Sequence, residues 1–362
     1  MANRRKFTPS IEYHPGVTLS EKLKEMDMSV KEFAVRTSKP EKTIFAIIGG
    51  KSSVTPDMAI AFESVTKIPA HFWLNIQVGY DEYVARKNRE EHIEDAYAWA
   101  KKFPLANMMS LGWIPVVRNI EDKVQALLSF FQVSTHKAWE DYYINQQLKV
   151  AFRISLSNTK EPHAISAWLR RGEIQAADMK VSKFSSKSLR EAIPKMKNIC
   201  AKQPEGFGAE LQEVCASVGI KLIYTQCLPK APINGSTRWI SGIPCVQMTG
   251  RQKRNDVFWF TFFHEIGHIL LHGKKDIFLE DSEACKQKDK EEEADAFASH
   301  ILLPQTNEDE IIKNGNFAPE VIRMYAEKFN VHPGIIVGRL QHKGIIPFSV
   351  DSDMIAKIDI FA

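Results

Sequence analysis

Cysteine is scarce in this chain, and its spacing pairs with nothing. Only five occur in 362 residues, at Cys200, Cys215, Cys227, Cys245 and Cys285. An odd number without a C-x-x-C argues against a disulfide framework and a cysteine zinc site, and for a reducing compartment. Long apolar runs are missing too, the longest falling far short of the ~20 residues of a membrane span. The start, Met1-Ala2-Asn3-Arg4-Arg5-Lys6, is basic, but no apolar segment follows, so no secretion signal is visible. The expectation is a cytoplasmic chain with no membrane partner. Neither sign of charge dominates: the net charge is +4, which permits nucleic-acid binding without arguing for it. With 44% apolar and 25% charged residues, the composition is that of soluble globular protein, and the length predicts two or three domains.

What is present is sharper. Phe262-Phe263-His264-Glu265-Ile266-Gly267-His268-Ile269-Leu270-Leu271-His272 contains H-E-x-x-H inside an otherwise apolar run. Residues four apart share a helical face, so His264 and His268 can aim two imidazoles at one divalent metal, above all zinc. Glu265 projects beside them as a general acid/base, not as a ligand. The alternative is a surface helix with two histidines, but a helix this apolar belongs in a core, where His and Glu need partners. The third ligand is sought in Lys290-Glu291-Glu292-Glu293-Ala294-Asp295-Ala296-Phe297-Ala298-Ser299-His300-Ile301-Leu302-Leu303-Pro304, a second helix ended by Pro304. Glu291 is the best candidate and Glu293 the runner-up. An E-x-x-x-D spacing lets Asp295 take the free N–H of a ligand histidine. On spacing alone, Glu291 is equally well an acidic first turn complementing the helix dipole.

These two segments resemble the ImmA/IrrE-type metallopeptidase domain, over roughly residues 200 to 345. The match runs through His264, Glu265, His268, Glu291, Ala294, Asp295, Phe297, Ala298, Leu302, Leu303 and Pro304. It implies a zincin-like peptidase with Glu291 as third zinc ligand, acting on helix-turn-helix repressors in mobile-element or stress settings. Asp295 stands where Asn is commoner in that family, which keeps the hydrogen-bonding role.

Residues 15 to 85 break into short helical phrases. Leu19 to Met26 is the first, capped by Thr18 or Ser20. Ser29 to Thr37 opens with a capping box, Ser29 and Glu32. Pro40 to Ile48 ends at Gly49-Gly50, and a fourth phrase follows Thr55-Pro56-Asp57, with Met58, Ala61, Phe62 and Val65 turned inward. The second and third phrases fit a helix-turn-helix, whose second helix enters the major groove. Ser38, Lys39, Glu41, Lys42 and Thr43 would face bases, and Lys51, with Ser52 and Ser53, phosphates. The alternative is a small bundle that binds protein. The segment from His14 to Tyr83 resembles the HigA-type antitoxin branch of the Xre helix-turn-helix family, through His14, Pro15, Gly16, Phe33, Ile44, Ile47, Gly50, Lys51, Thr55, Pro56, Trp73 and Gln77 among others. It implies binding to double-stranded operator DNA, usually as a homodimer. The third phrase carries only Lys39 and Lys42 as cations, so modest affinity is expected.

Residues 85 to 103 read as one exposed linking helix. Further helical phrases fill 104 to 200, with Trp139, Tyr142, Phe152 and Trp168 as core and no recognisable chemistry. Three short runs between 219 and 249 read as a small antiparallel sheet, and Pro244 to Met248 is the candidate edge that could hold an extended peptide. His272 is expected beside the metal ligands or at the surface rather than as a further ligand, and His300 at a helix end rather than as a transition-state donor. The expected fold is α+β, mostly α: a helix-turn-helix domain (1–85), a helical spacer or sensing region (86–200) and a zinc metallopeptidase-like domain (201–362). The expected function is a DNA-binding regulator with a zinc-dependent endopeptidase that cleaves a repressor, a toxin partner or itself. The alternative is an antitoxin or repressor whose metal domain is structural or sensory.

Overall fold

In the computed structural model, which describes residues 13–147, 161–229, 231, 233–272, 284–350 and 352–361, the first helix begins earlier than its hydroxyl residues suggest. Helix α1 spans Pro15–Glu25, and its cap is His14, whose Nδ1 accepts from the Gly16 N–H at 3.0 Å. Pro15 at the first helical position costs nothing, since that N–H has no partner in a helix anyway. Gly16 is required by space: a Cβ there would lie 1.9 Å from the Ile47 carbonyl oxygen. Helix α1 therefore rests on the backbone of α3 (Glu41–Ile48). Between them, α2 spans Val30–Arg36; its Glu32 N–H donates to the Ser29 hydroxyl, one half of the expected capping box, while the Glu32 carboxylate pairs with Arg36 at 2.6 Å. Ser38, at φ 55°, turns the chain from α2 into α3. Helix α4, Pro56–Thr66, is capped by Thr55 and buries Ala59, Phe62 and Thr66, so Ala59 takes the inward place expected for Ala61. Leu19, Phe33, Ile44, Ile47, Phe62 and Trp73 form the core of this module. Gln77, from α5 (Ala70–Ala100), accepts from the Val54 N–H at 2.8 Å and locks the segment after α3.

The chain divides into two compact units, Met1–Ala96 and Tyr97–Ala362. The second opens on the end of α5, which is not an exposed linker: Trp99 and Ala100 are buried, as is Phe103 just after it. These residues pack with α7 (Ile120–Phe131), which follows α6 (Leu105–Ser110), and with α8 (His136–Trp139). From Glu140 to Gln147 the helix widens to π geometry. Tyr143 is buried there and Tyr142 is 43% exposed, the reverse of the expectation for Tyr142. Trp139 and Trp168 are buried as expected; Phe152 lies outside the described residues.

Helices α9 (Pro162–Ala177), α10 (Ser186–Lys202) and α11 (Phe207–Ser217) lead into three strands, β1 (Lys221–Tyr224), β2 (Gly235–Ile240) and β3 (Ile243–Met248). The sheet is mixed, which corrects the antiparallel expectation. Its order is β1-β3-β2, with β3 parallel to β1 and antiparallel to β2. The Ser241-Gly242 hairpin folds β3 back inside β2, so β3 inserts beside β1 and runs in its direction. The candidate peptide edge at Pro244–Met248 is thereby excluded: β3 is central, and β2 is the edge that reaches the site.

Helix α12, Asn255–Gly267, covers one face of the sheet and continues as a π turn through His268–His272. Leu222, Val246 and Met248 join Phe258, Trp259, Phe262 and Ile266 in one core. Helix α9 covers the other face through polar contacts. Gln247 Nε2 donates to the Trp168 carbonyl at 2.8 Å, and Arg238 reaches the Leu169 carbonyl at 3.0 Å and Glu173 at 2.9 Å. Helices α13 (Ala284–Leu302), α14 (Gln305–Asn314), α15 (Pro319–Phe329) and α16 (Pro333–His342) complete the unit.

Candidate functional site

Helix α12 is apolar on nearly every side, and that property places the histidines. Phe258, Trp259, Phe262, Phe263 and Ile266 fill the buried side. Phe260, His264 and His268 follow one another at four-residue steps along the less buried side, where α13 packs, Gly267 meeting Ala294 and Phe297. Ala294, Ala298 and Leu302 are the buried face of α13, and Glu291 and Asp295 flank it.

The structure brings together His264, His268 and Glu291, whose donor atoms could hold one ion. The two Nε2 atoms are 2.9 Å apart, and Glu291 lies 3.2 Å from His264 and 3.3 Å from His268. A tetrahedral zinc with bonds of about 2.0–2.1 Å sets its ligand atoms roughly 3.3 Å apart, so this two-imidazole, one-carboxylate set fits that ion. Each ring is also held from behind. Asp295 Oδ1 lies 2.8 Å from His264 Nδ1, and His272 Nδ1 lies 3.0 Å from His268 Nδ1. Glu293 Oε2 is 3.1 Å from the far nitrogen of His272. Glu293, the runner-up ligand, thus stands one ring removed from the cluster. An α-helix overshoots by about 40° in four residues; the π turn after His268 reverses that drift and keeps His272 in contact.

The electrostatics match a cation site. Burial alone would lower the His264 imidazole, but Asp295 and Glu291 override it and push the ring up to about 10. Burial would raise Glu291, yet contacts with His264 and His268 hold it down to about 2. The acid is ionised, and the proton that His264 favours occupies a place that a divalent ion would take. Glu265 is buried. Its backbone carbonyl accepts from the Thr237 hydroxyl of β2 at 3.2 Å, and Gly235 leaves room at its carboxylate, since a Cβ there would lie 2.9 Å from Oε1. His300 is exposed on α13.

In the first unit, α3 turns Ile44 and Ile47 inward, and Glu41 and Lys42 are exposed, with Thr43 half-buried. Ser38 and Lys51 are exposed as well. Lys39 is largely covered and ion-paired with Asp57 of α4, so its charge is engaged within the fold. Sequence reasoning missed Phe45, which stands 55% exposed on the same helix; an apolar residue outside the Ile44/Ile47 pattern was the signal available.

Residues 215–341 match the IrrE N-terminal-like domain of the peptidase M78 family. That range contains His264, Glu265, His268, Glu291 and Asp295. The first unit is similar to YddM of Escherichia coli (strain K12), an uncharacterized HTH-type transcriptional regulator. Identity is 33% over 73 residues, covering 20% of this chain and 78% of that protein. The chain belongs to the HTH-type transcriptional regulators and carries an IrrE-like domain. Solved structures similar to the regulator's first unit include an addiction module antidote protein of the HigA family from Coxiella burnetii. It is 34% identical and covers 23% of this chain and 92% of its own, with a TM-score of 0.22. Antitoxin HigA of Pseudomonas aeruginosa, solved with its higBA promoter, is 29% identical over the same shares, also at 0.22. Among the described residues, no helix of this regulator is long and apolar enough to cross a membrane.

Proposed function

We propose that this regulator binds operator DNA through residues 1–85 and carries a zinc-dependent endopeptidase in residues 201–362. The observation that carries the peptidase reading is the convergence of His264, His268 and Glu291 beside a buried Glu265. Bound zinc would act as a Lewis acid and make water acidic enough to be nucleophilic near neutral pH. Glu265 would take a proton from that water and hand it to the leaving nitrogen. Asp295 and His272 would fix the ring orientations. The outer edge of β2, unpaired among the described residues, offers backbone groups to an extended peptide running past Glu265. The substrate class we propose is a protein partner of the regulator, a helix-turn-helix repressor or a toxin, or the chain itself. For DNA binding, the support is the helix-turn-helix geometry with exposed Ser38, Glu41, Lys42 and Lys51 and half-buried Thr43, and the likeness to YddM; a homodimer on an inverted repeat is the arrangement we propose.

The test compares wild type with Glu265→Gln for metal content and for cleavage of a co-expressed partner. Equal zinc with cleavage lost supports the reading. Undiminished cleavage in Glu265→Gln removes Glu265 from the chemistry. Full zinc with no cleavage by wild type leaves a metal domain that is structural or sensory.

A further inference from the structure

The outward face of α3 is unusual for a helix that meets an anion, because its largest side chain is apolar. Helical steps of about 100° put Phe45 about 130° and Lys42 about 170° from the inward direction set by Ile44 and Ile47. Glu41 stands on the flank, one turn before Phe45. Phe45 is 55% exposed while Ile44 and Ile47 are fully buried, so Phe45 stands outside the core. Nor is the surrounding face apolar. Glu41 and Lys42 are exposed beside it, and Lys51 follows the helix. Among the described residues, none of these three charges has an ion-pair partner, whereas Lys39 is held by Asp57 and Arg36 by Glu32.

A major groove offers few apolar features, the chief one being the C5-methyl of thymine. Its polar edges offer guanine acceptors to a lysine and the cytosine amino group to a glutamate. Glu41, Lys42 and Phe45 present one acceptor, one donor and one apolar surface from adjacent turns, which matches that chemistry. We infer that Phe45 is a specificity-determining residue that reads a thymine methyl in the major groove, with Glu41 and Lys42 addressing neighbouring base edges. This rests on the proposed binding of operator DNA. The charged flanks oppose the other use of an exposed aromatic, an apolar protein contact, which needs neighbours of its own kind.

The test uses the full chain. Preferred duplexes are selected from a random library, and each thymine of the winner is replaced in turn by deoxyuridine, which removes only the methyl. Anisotropy should give wild type a loss of roughly four-fold at one position per half-site, the worth of one buried methyl. Phe45→Ala should erase that loss and leave the salt dependence unchanged. As Phe45 is mostly exposed, the variant should unfold at the wild-type temperature, and Phe45→Leu should keep part of the discrimination. Sensitivity to every methyl unchanged in Phe45→Ala, or absent in wild type, overturns the assignment while DNA binding stands. A wild-type chain that enriches no sequence and shows no salt-dependent binding overturns DNA binding itself.

Discussion

Asp295 and His264 face each other from adjacent helices, Oδ1 to Nδ1 at 2.8 Å, on the side of the ring away from His268 and Glu291. The contact fixes which nitrogen of His264 is offered to a metal. Asp295→Ala should weaken zinc affinity by about 10- to 100-fold, the usual range for such a partner, with the fold intact. Asp295→Asn keeps an acceptor oxygen and should lose much less. Competition against a chromogenic chelator measures both, and equal affinities for wild type and Asp295→Ala would refute the positioning role.

Glu291 and Glu293 should behave differently despite lying two residues apart. Glu291→Gln removes the charge of the proposed third ligand and should reduce metal content more than Glu293→Gln, which acts only through His272 and His268. Elemental analysis after dialysis ranks them. The reverse order would transfer the ligand role to Glu293.

Much of this site was legible because its signals are local. Helical spacing alone pairs His264 with His268, and the separation of Glu291 and Asp295 survives in space. What escaped depends on distant or irregular structure. Strand direction in the sheet is decided by where β3 inserts, which the residues of β3 do not encode. Lys39 reads as a free cation until Asp57, 18 residues on, is seen to pair with it. Hydroxyl residues point to a cap at Thr18 or Ser20, whereas His14 caps the helix that Pro15 opens. Tyr143 is buried in place of Tyr142 where the helix takes π geometry, which shifts the buried face by a residue.

Acid should destabilise the second unit through His163. Its ring stacks on Trp139 at 4.8 Å and meets Phe103 edge-on at 5.0 Å. Burial, aided by the nearby Lys102 charge and opposed by Glu161, holds the imidazole down to about 4. In the unfolded chain it titrates near pH 6.5. Between those values the unfolded chain binds a proton that the folded one refuses. The stability is therefore complete above about pH 6.5 and is lost as pH falls toward 4. The loss should be on the order of 1–2 kcal/mol, allowing for solvent screening of a partly exposed ring. His163→Phe should flatten the fall in melting temperature over this window; an unchanged slope would assign the effect elsewhere.

Gly16→Ala should destabilise the first unit by about 3 kcal/mol or more. The new methyl would meet a backbone carbonyl that cannot rotate away. Thermal melting of the full chain should show an early transition, and a single unshifted one would mean that α1 moves off α3 freely.

Lys51 and Lys39 should separate in a salt series. Lys51→Ala should reduce the log–log slope of DNA binding by about one, as for a lost phosphate contact. Lys39→Ala should leave the slope nearly unchanged, because Asp57 already neutralises that charge. Equal effects on the slope would mean that the ion pair opens when DNA binds.

The seat of Gly16 against the Ile47 carbonyl has a consequence for how such a module can diverge. Helix α3 is located by its own backbone and by two inward isoleucines, so Glu41, Lys42 and Phe45 bear no responsibility for where the helix lies. Those positions can mutate freely without a folding defect to select against the change. The module is built like a lettered dial on a fixed axle: its address can be rewritten one residue at a time while the scaffold that presents it stays the same.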